Sequence, residues 1–217
     1  MRYTSILPGT AENTIFCVTF FPYDRLIGTT MNEQMQTEEF SIIRDCRNGR
    51  SDRYAVLVDR YRSLAYNLAF RMVGDPDVAQ DMAQESFIAA YQGLKEFKFG
   101  SRFSSWLYTI IMNKCRDHLR IKRPNTSVDD LAEVRQDRSP SPEELAASRQ
   151  AGEIIQEALD ALPMEYREVL VLKHVQELEY SEIAEMLGVS VGALKVRAHR
   201  GREMLKKKLE EAGVTHG

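Results

Sequence analysis

Residues 180–208 read YSEIAEMLGVSVGALKVRAHRGREMLKKK, and their grammar is that of two helices joined by a tight turn. Ser181 is suited to cap a short helix that sets Ile183, Ala184 and Leu187 on one side, and Gly188 supplies the backbone freedom to end it. Ser190 then caps a longer helix. On it Val191, Leu194, Ala198 and Leu205 fall on an inner side, while Lys195, His199, Arg202 and Lys206 recur on an outer one. The small Ala184 favours close approach of the two axes. Such a helix-turn-helix with a one-sided basic face predicts DNA as partner, the second helix entering a major groove. The bland alternative for Lys206, Lys207 and Lys208 is a solvated helix end whose cations only complement the helix dipole.

Working outward, the chain has 217 residues, 43% apolar and 28% charged, with a formal net charge of −3. These values describe a globular protein of one or two domains. The overall negative charge does not argue against nucleic acid, because the acidic residues gather between two basic segments and local charge governs phosphate contact. Cys17, Cys46 and Cys115 are odd in number and far apart, with no CxxC or His/Cys cluster, so neither a disulfide framework nor a zinc site is expected. A cytoplasmic protein fits this usage. No apolar run approaches membrane-spanning length, and Ile15 to Phe21 is followed at once by Pro22 and Asp24.

Residues 1–37 lack any period and are read as a disordered or mis-annotated extension. Met31 and Met35 precede the periodic region that begins near Glu38, and translation is expected to start at one of them. Mass spectrometry of the native N-terminus checks this, a peptide covering Tyr3 to Arg25 being the contrary result.

From Phe40 onward helix follows helix, with no alternating strand, so an all-α fold is expected. Tyr54, Leu57, Tyr61, Leu64, Leu68 and Met72 form one apolar stripe, ended by the turn Gly74-Asp75-Pro76. The next helix, opened by Asp77, carries Ala83, Phe87, Ala90 and Leu94 on the side that should pack on this stripe. Its other side presents Asp77, Asp81, Gln84 and Glu85. Three readings of that acidic row stay open: a divalent-metal site, a solvated face, or a docking face for a basic partner. The metal reading lacks a Glu-x-x-His partner and a second acidic helix.

Residues 97–108, FKFGSRFSSWLY, place Lys98 and Arg102 among aromatics around Gly100 in a loop entering a helix. Rings beside cations suit single-stranded nucleic acid, although Phe97, Phe103 and Trp106 also serve as ordinary loop anchors. Beyond them Leu107, Ile111 and Cys115 mark a buried stripe, and Asn113, Arg116 and Arg120 a second face continued by Lys122 and Arg123. Residues 125–144 are an acidic Pro/Ser linker. A C-terminal domain follows, whose first helix should bury Ile154, Ala158, Leu159 and Leu162. Pro163 opens its second, with Val169, Leu170 and Leu172 apolar. No nucleophilic triad, phosphate-binding Gly loop or zinc motif is present, and no cofactor or catalytic residue is expected.

This order of features resembles the bacterial sigma factors of the extracytoplasmic-function (ECF) group. DVAQDMAQESFIAAY (77–91) looks like their region 2.2, FSSWLYTIIMNKCRDHLR (103–120) like regions 2.3 and 2.4, and residues 161–205 like region 4. The resemblance implies two small helical domains, region 2 over 38–124 and region 4 over 145–211, joined by the linker and followed by a tail, 212–217. It implies a non-catalytic promoter-specificity subunit of RNA polymerase, with core polymerase, minus-35 and minus-10 promoter DNA and an anti-sigma factor as partners and no membrane insertion of its own. Asp81, Gln84, Glu85 and Phe87 match the polymerase-docking motif. Lys98, Ser101, Arg102, Phe103, Trp106, Asn113, Arg116, Arg120 and Arg123 match minus-10 contacts, and Ser190, Lys195, Val196, Arg197, His199 and Arg200 minus-35 contacts. The chain departs from the family's pattern at Phe99, where glycine is frequent, at Lys195, where arginine is, and at Val196, where small polar residues are.

Two other classes remain alongside it. An operator-binding regulator predicts tight duplex binding by the isolated chain, and a helical metal enzyme predicts stoichiometric divalent metal.

Overall fold

The computed structural model describes residues 29–121, 152–176 and 178–214. The linker at 125–144 and most of the N-terminal extension lie outside these, as do Cys17, Lys122 and Arg123. Among the described residues the architecture is all helical. Helix α1 (Thr29–Arg47) leads through a 3-10 turn into α2 (Tyr54–Val73), α3 (Pro76–Gly93) and α4 (Phe103–Ile121). A second group comprises α5 (residues 152–160), α6 (Met164–Leu170), α7 (Tyr180–Leu187) and α8 (Val191–Glu211). None of these helices is long and apolar enough to cross a membrane.

Periodicity explains the first group. Tyr54, Leu57, Leu68 and Met72 are buried on α2 together with Ala65 and Ala69, whereas Tyr61 and Leu64 are only half-buried. Ala83, Phe87 and Ala90 of α3 and Leu107, Ile111 and Cys115 of α4 complete the core. Removing each of the larger side chains, Leu, Ile, Met or Phe, from water stabilises the fold by roughly 1.5–3 kcal/mol. Tyr54 donates its hydroxyl to the Phe87 carbonyl (2.8 Å), and Tyr61 donates to Glu39 of α1 (2.6 Å), so both hydroxyls are paired as the bundle closes.

Three helix starts differ from expectation. Helix α1 begins at Thr29, well before Glu38. Asp75, not Asp77, caps α3, accepting from the backbone of Asp77 and Val78 (both 3.0 Å), with Pro76 in the first turn, where its missing N–H costs nothing. Glu179, not Ser181, caps α7: its carboxylate accepts from the Glu182 backbone while Glu182 accepts from the Glu179 N–H (2.9 Å). Ser181 is exposed within the first turn.

The two helix groups pack on one another. Val169, Val171, Leu172, Leu178, Ile183, Leu194 and Ala198 belong to the same apolar cluster as the cores of α2, α3 and α4. A smaller cluster of Ala158, Leu159, Leu162, Leu170 and Leu205 is internal to the second group, and Ile154 is half-buried rather than buried. Polar bonds cross the same seam. Arg167 Nη1 donates to the Met72 carbonyl (2.6 Å) and to Asp160 Oδ1 (2.9 Å), and Nη2 to the Asp160 carbonyl (2.6 Å). Gln156 Nε2 donates to the Phe70 carbonyl (3.2 Å). Phe70 and Met72 lie in the last turn of α2; the Phe70 carbonyl also accepts from the Gly74 backbone N–H (2.9 Å), and Gln156 and Arg167 of the second group add donors at this helix end.

Beyond α6 the chain widens into a π turn, Val171–Val175. Burial there lowers the His174 imidazole pKa from 6.5 to about 4, with Arg202 and Lys173 adding repulsion. Unfolded His174 therefore takes up a proton that the folded form refuses, and stability falls as pH drops from about 6.5 towards 4. His174→Gln is expected to flatten the pH dependence of the urea midpoint between pH 6.5 and 5, a slope of at most about 1.4 kcal/mol per pH unit. An unchanged slope would assign it to other groups.

Candidate nucleic-acid interface

The turn between α7 and α8 depends on Gly188, which adopts φ +65°, a left-handed conformation that β-carbon-bearing residues disfavour. Ser190 then caps α8, its Oγ accepting from the Ala193 backbone (3.2 Å). Leu194, Ala198 and Leu205 are buried on the inner side as expected, but Val191, at the helix start, is 38% exposed. A close approach of α8 to α6 falls at Gly201, where a β-carbon would meet Leu170 and Tyr166 at 3.2 Å.

On the outer side Lys195, Val196, His199 and Arg200 are exposed and Arg197 is half-buried, with Val196 at 52%. Lys195, Arg197 and Arg200 have no carboxylate partner among the described residues. By contrast Lys206, Lys207 and Lys208 face Glu210 or Glu211 at 3.9, 4.0 and 2.9 Å, so their charge is partly compensated. Uncompensated charge is concentrated in the N-terminal half of α8.

The loop before α4 hangs from an aromatic cluster. Phe97 is buried and Phe103 has no exposure, while Trp106 is half-buried against both rings, at 5.4 and 5.9 Å. Phe103 is therefore a core anchor, and its side chain reaches no nucleotide in this conformation. Lys98, Phe99, Gly100, Ser101 and Arg102 form the exposed crest. Arg47 of α1 holds the base of the loop, Nε donating to the Leu94 carbonyl (2.7 Å) and Nη2 to that of Phe97 (2.5 Å). The sequence reading missed Arg47, because its acceptors are carbonyls about fifty positions away.

Along α4, Asn113 and Arg120 are exposed. Arg116 Nε donates to Glu168 Oε1 of α6 (2.9 Å), and this bond is the first cause of a guanidinium pKa raised above its ordinary value. Arg102 sits 3.8 Å from Glu182 of α7. Two of the cations matched to minus-10 contacts are thus engaged by carboxylates of the second helix group.

Asp81, Gln84 and Glu85 are exposed on α3, and Glu85 takes an ion pair from Lys114 (2.9 Å). Phe87 is 8% exposed and belongs mainly to the core. The same surface carries Ile88, 52% exposed, and Tyr91, 40% exposed, beside a groove shared with Tyr54, Val58 and Tyr66 of α2. Neither had been singled out, although Ile88 falls one turn beyond Gln84 and Glu85 and so prolongs their row.

Two helical units with these surfaces define a class, the sigma-70 type of transcription factor. Residues 57–124 match Sigma-70 region 2 and residues 152–205 match Sigma-70, region 4. The chain is similar to the ECF RNA polymerase sigma factor SigW of Bacillus subtilis, 38% identical over 78% of this chain and 95% of that one. It is also similar to the ECF RNA polymerase sigma-E factor of Escherichia coli, 30% identical over 83% and 97% respectively. Among solved structures CnrH, in complex with the cytosolic domain of CnrY, matches with a TM-score of 0.59 and 27% identity, covering 78% of this chain and 96% of that one. The chain belongs to the ECF RNA polymerase sigma factors. Proteins of this family bind core RNA polymerase and direct promoter recognition and transcription initiation.

Proposed function

We propose that this sigma factor docks on core polymerase through the face of α3 formed by Asp81, Gln84, Glu85 and Ile88, contacts minus-10 DNA with the loop crest and α4, and reads minus-35 DNA with α8. The observation that carries the docking assignment is the succession of exposed acidic, amide and apolar side chains on a helix whose opposite side is buried. An apolar centre with a charged rim is the composition of a protein interface. Lys98, Ser101 and Arg102 supply cations and a hydroxyl to an unstacked strand, and Asn113, Arg116 and Arg120 lie along the adjoining duplex. On α8, Lys195, Val196, His199 and Arg200 point the readable groups outward, Val196 being suited to a thymine methyl and Arg200 to guanine. Arg197 and Ser190 serve the phosphates.

The protein contributes no chemistry of its own, acts in the cytoplasm and is held by an anti-sigma factor until its regulon is needed. Run-off transcription on genomic DNA with core polymerase, with and without this chain, is expected to reveal new start sites. Their absence, together with no complex with core, overturns this reading.

In the closed arrangement Glu168 occupies Arg116. Glu168→Gln is expected to raise the affinity of the isolated chain for duplex DNA about two- to fivefold at low salt by fluorescence anisotropy, because a freed cation adds one phosphate contact. Unchanged affinity would remove Arg116 from the DNA-facing set.

A further inference from the structure

We infer that Arg44, held on the ring of Phe99, is a phosphate contact for single-stranded DNA beside the loop crest, an extension of the DNA-facing surface onto α1. The inference rests on the proposed role of that loop. Phe99 is 39% exposed, and its ring is wedged by the edges of Phe40 (5.4 Å) and Phe97 (5.8 Å). The guanidinium carbons of Arg44 and Arg47 lie over it at 5.2 and 4.7 Å.

The two arginines are used differently. Arg47 spends donors on the carbonyls of Leu94 and Phe97. Arg44 is exposed and meets no carboxylate or carbonyl acceptor among the described residues. Its neighbour Asp45 is taken by Arg50, at 2.5 Å, and Arg53, at 3.9 Å. A cation over an aromatic face is held without using any N–H, so Arg44 keeps its five donors in a fixed place. Fixed guanidinium donors suit a phosphate, and Lys98, also exposed and without a carboxylate partner among the described residues, adds a second cation on the neighbouring loop.

The strand is single because the cations converge on an exposed aromatic at the loop crest, the combination that tracks an unpaired backbone. Phe99 is thereby a positioning residue.

The test uses holoenzyme that initiates transcription, with a promoter mapped by run-off and opened by mismatches across its minus-10 segment. Affinity is measured against salt for the starting protein, Arg44→Gln, Phe99→Ser and the double variant. Arg44→Gln is expected to weaken binding about fivefold and to reduce the log–log salt slope by about 0.7, the value for one single-strand phosphate. Phe99→Ser should reproduce part of that loss with the charge still present, and Arg44→Gln should add little in its background. A Phe99 that merely shaped the loop would instead give additive losses.

Unchanged affinity and slope for Arg44→Gln in an initiating holoenzyme overturn the inference and leave the sigma reading intact. Loss of core association with normal DNA affinity also overturns it, and assigns the patch to an acidic protein surface. If the starting chain forms no holoenzyme, the reading on which the inference rests fails first.

Discussion

Replacing Arg167 by methionine is expected to lower stability by about 3–5 kcal/mol, equivalent to a fall of roughly 6–20 °C in Tm for a chain of this size. The side chain is 5% exposed and bonds to the carbonyls of Met72 and Asp160 and to the Asp160 carboxylate. Methionine fills similar space, so the loss is polar: the buried Met72 carbonyl and the part-buried Asp160 carbonyl lose a charged donor, and Asp160, whose pKa burial already raises, loses the cation that opposes that rise. Lysine at 167 should recover only a fraction, because one ammonium cannot serve acceptors arranged for a planar fork. Calorimetry checks this, and a cost below about 1 kcal/mol would show that Arg167 contributes little to holding the two helix groups together.

Charge reversal at the docking face, Asp81→Lys with Glu85→Lys, is expected to weaken association with core polymerase on the order of 100-fold while leaving the fold intact. Both side chains are exposed, and the one ion pair lost, Glu85 with Lys114, is a surface contact worth at most about 1 kcal/mol. Size-exclusion chromatography with labelled chain reads the association and circular dichroism the fold. Core binding at the original level would exclude this face from the interface.

What sequence makes legible here is what short range determines. The inner side of α8, the Gly188 turn, the Ser190 cap and the buried stripe Leu107, Ile111 and Cys115 follow from helical spacing and from residue conformational preferences. Ser181 lies two residues beyond the observed cap and Asp77 one residue beyond the helix start, because Glu179 and Asp75 already accept from the first free N–H groups. Phe103 was matched by family position to DNA, yet packing claims it wholly.

The seam was not legible. Arg167 is 95 residues from Met72, and Arg116 is 52 from Glu168. No periodicity connects a guanidinium with the last carbonyls of a remote helix, and charged residues at 167 and 168 read as surface. The candidate site was readable where it is exposed and monotonous in character, as along α3. It was unreadable where a cation such as Arg44 gains meaning only from a ring beyond its own helix.

The close seating of Gly201 on Leu170 and Tyr166 bears on how such a protein diversifies. The buried residues that anchor α8 are Leu194, Ala198, Gly201 and Leu205, while Lys195, Val196, His199 and Arg200 are exposed. Exchanges at those four outward positions carry a stability cost within about 0.5 kcal/mol, whereas a methyl group at 201 forces its neighbours aside. On the proposed reading of minus-35 DNA by those four positions, a duplicated copy of this chain is free to drift towards new promoters while its framework stays under purifying selection, and one scaffold can seed many regulons.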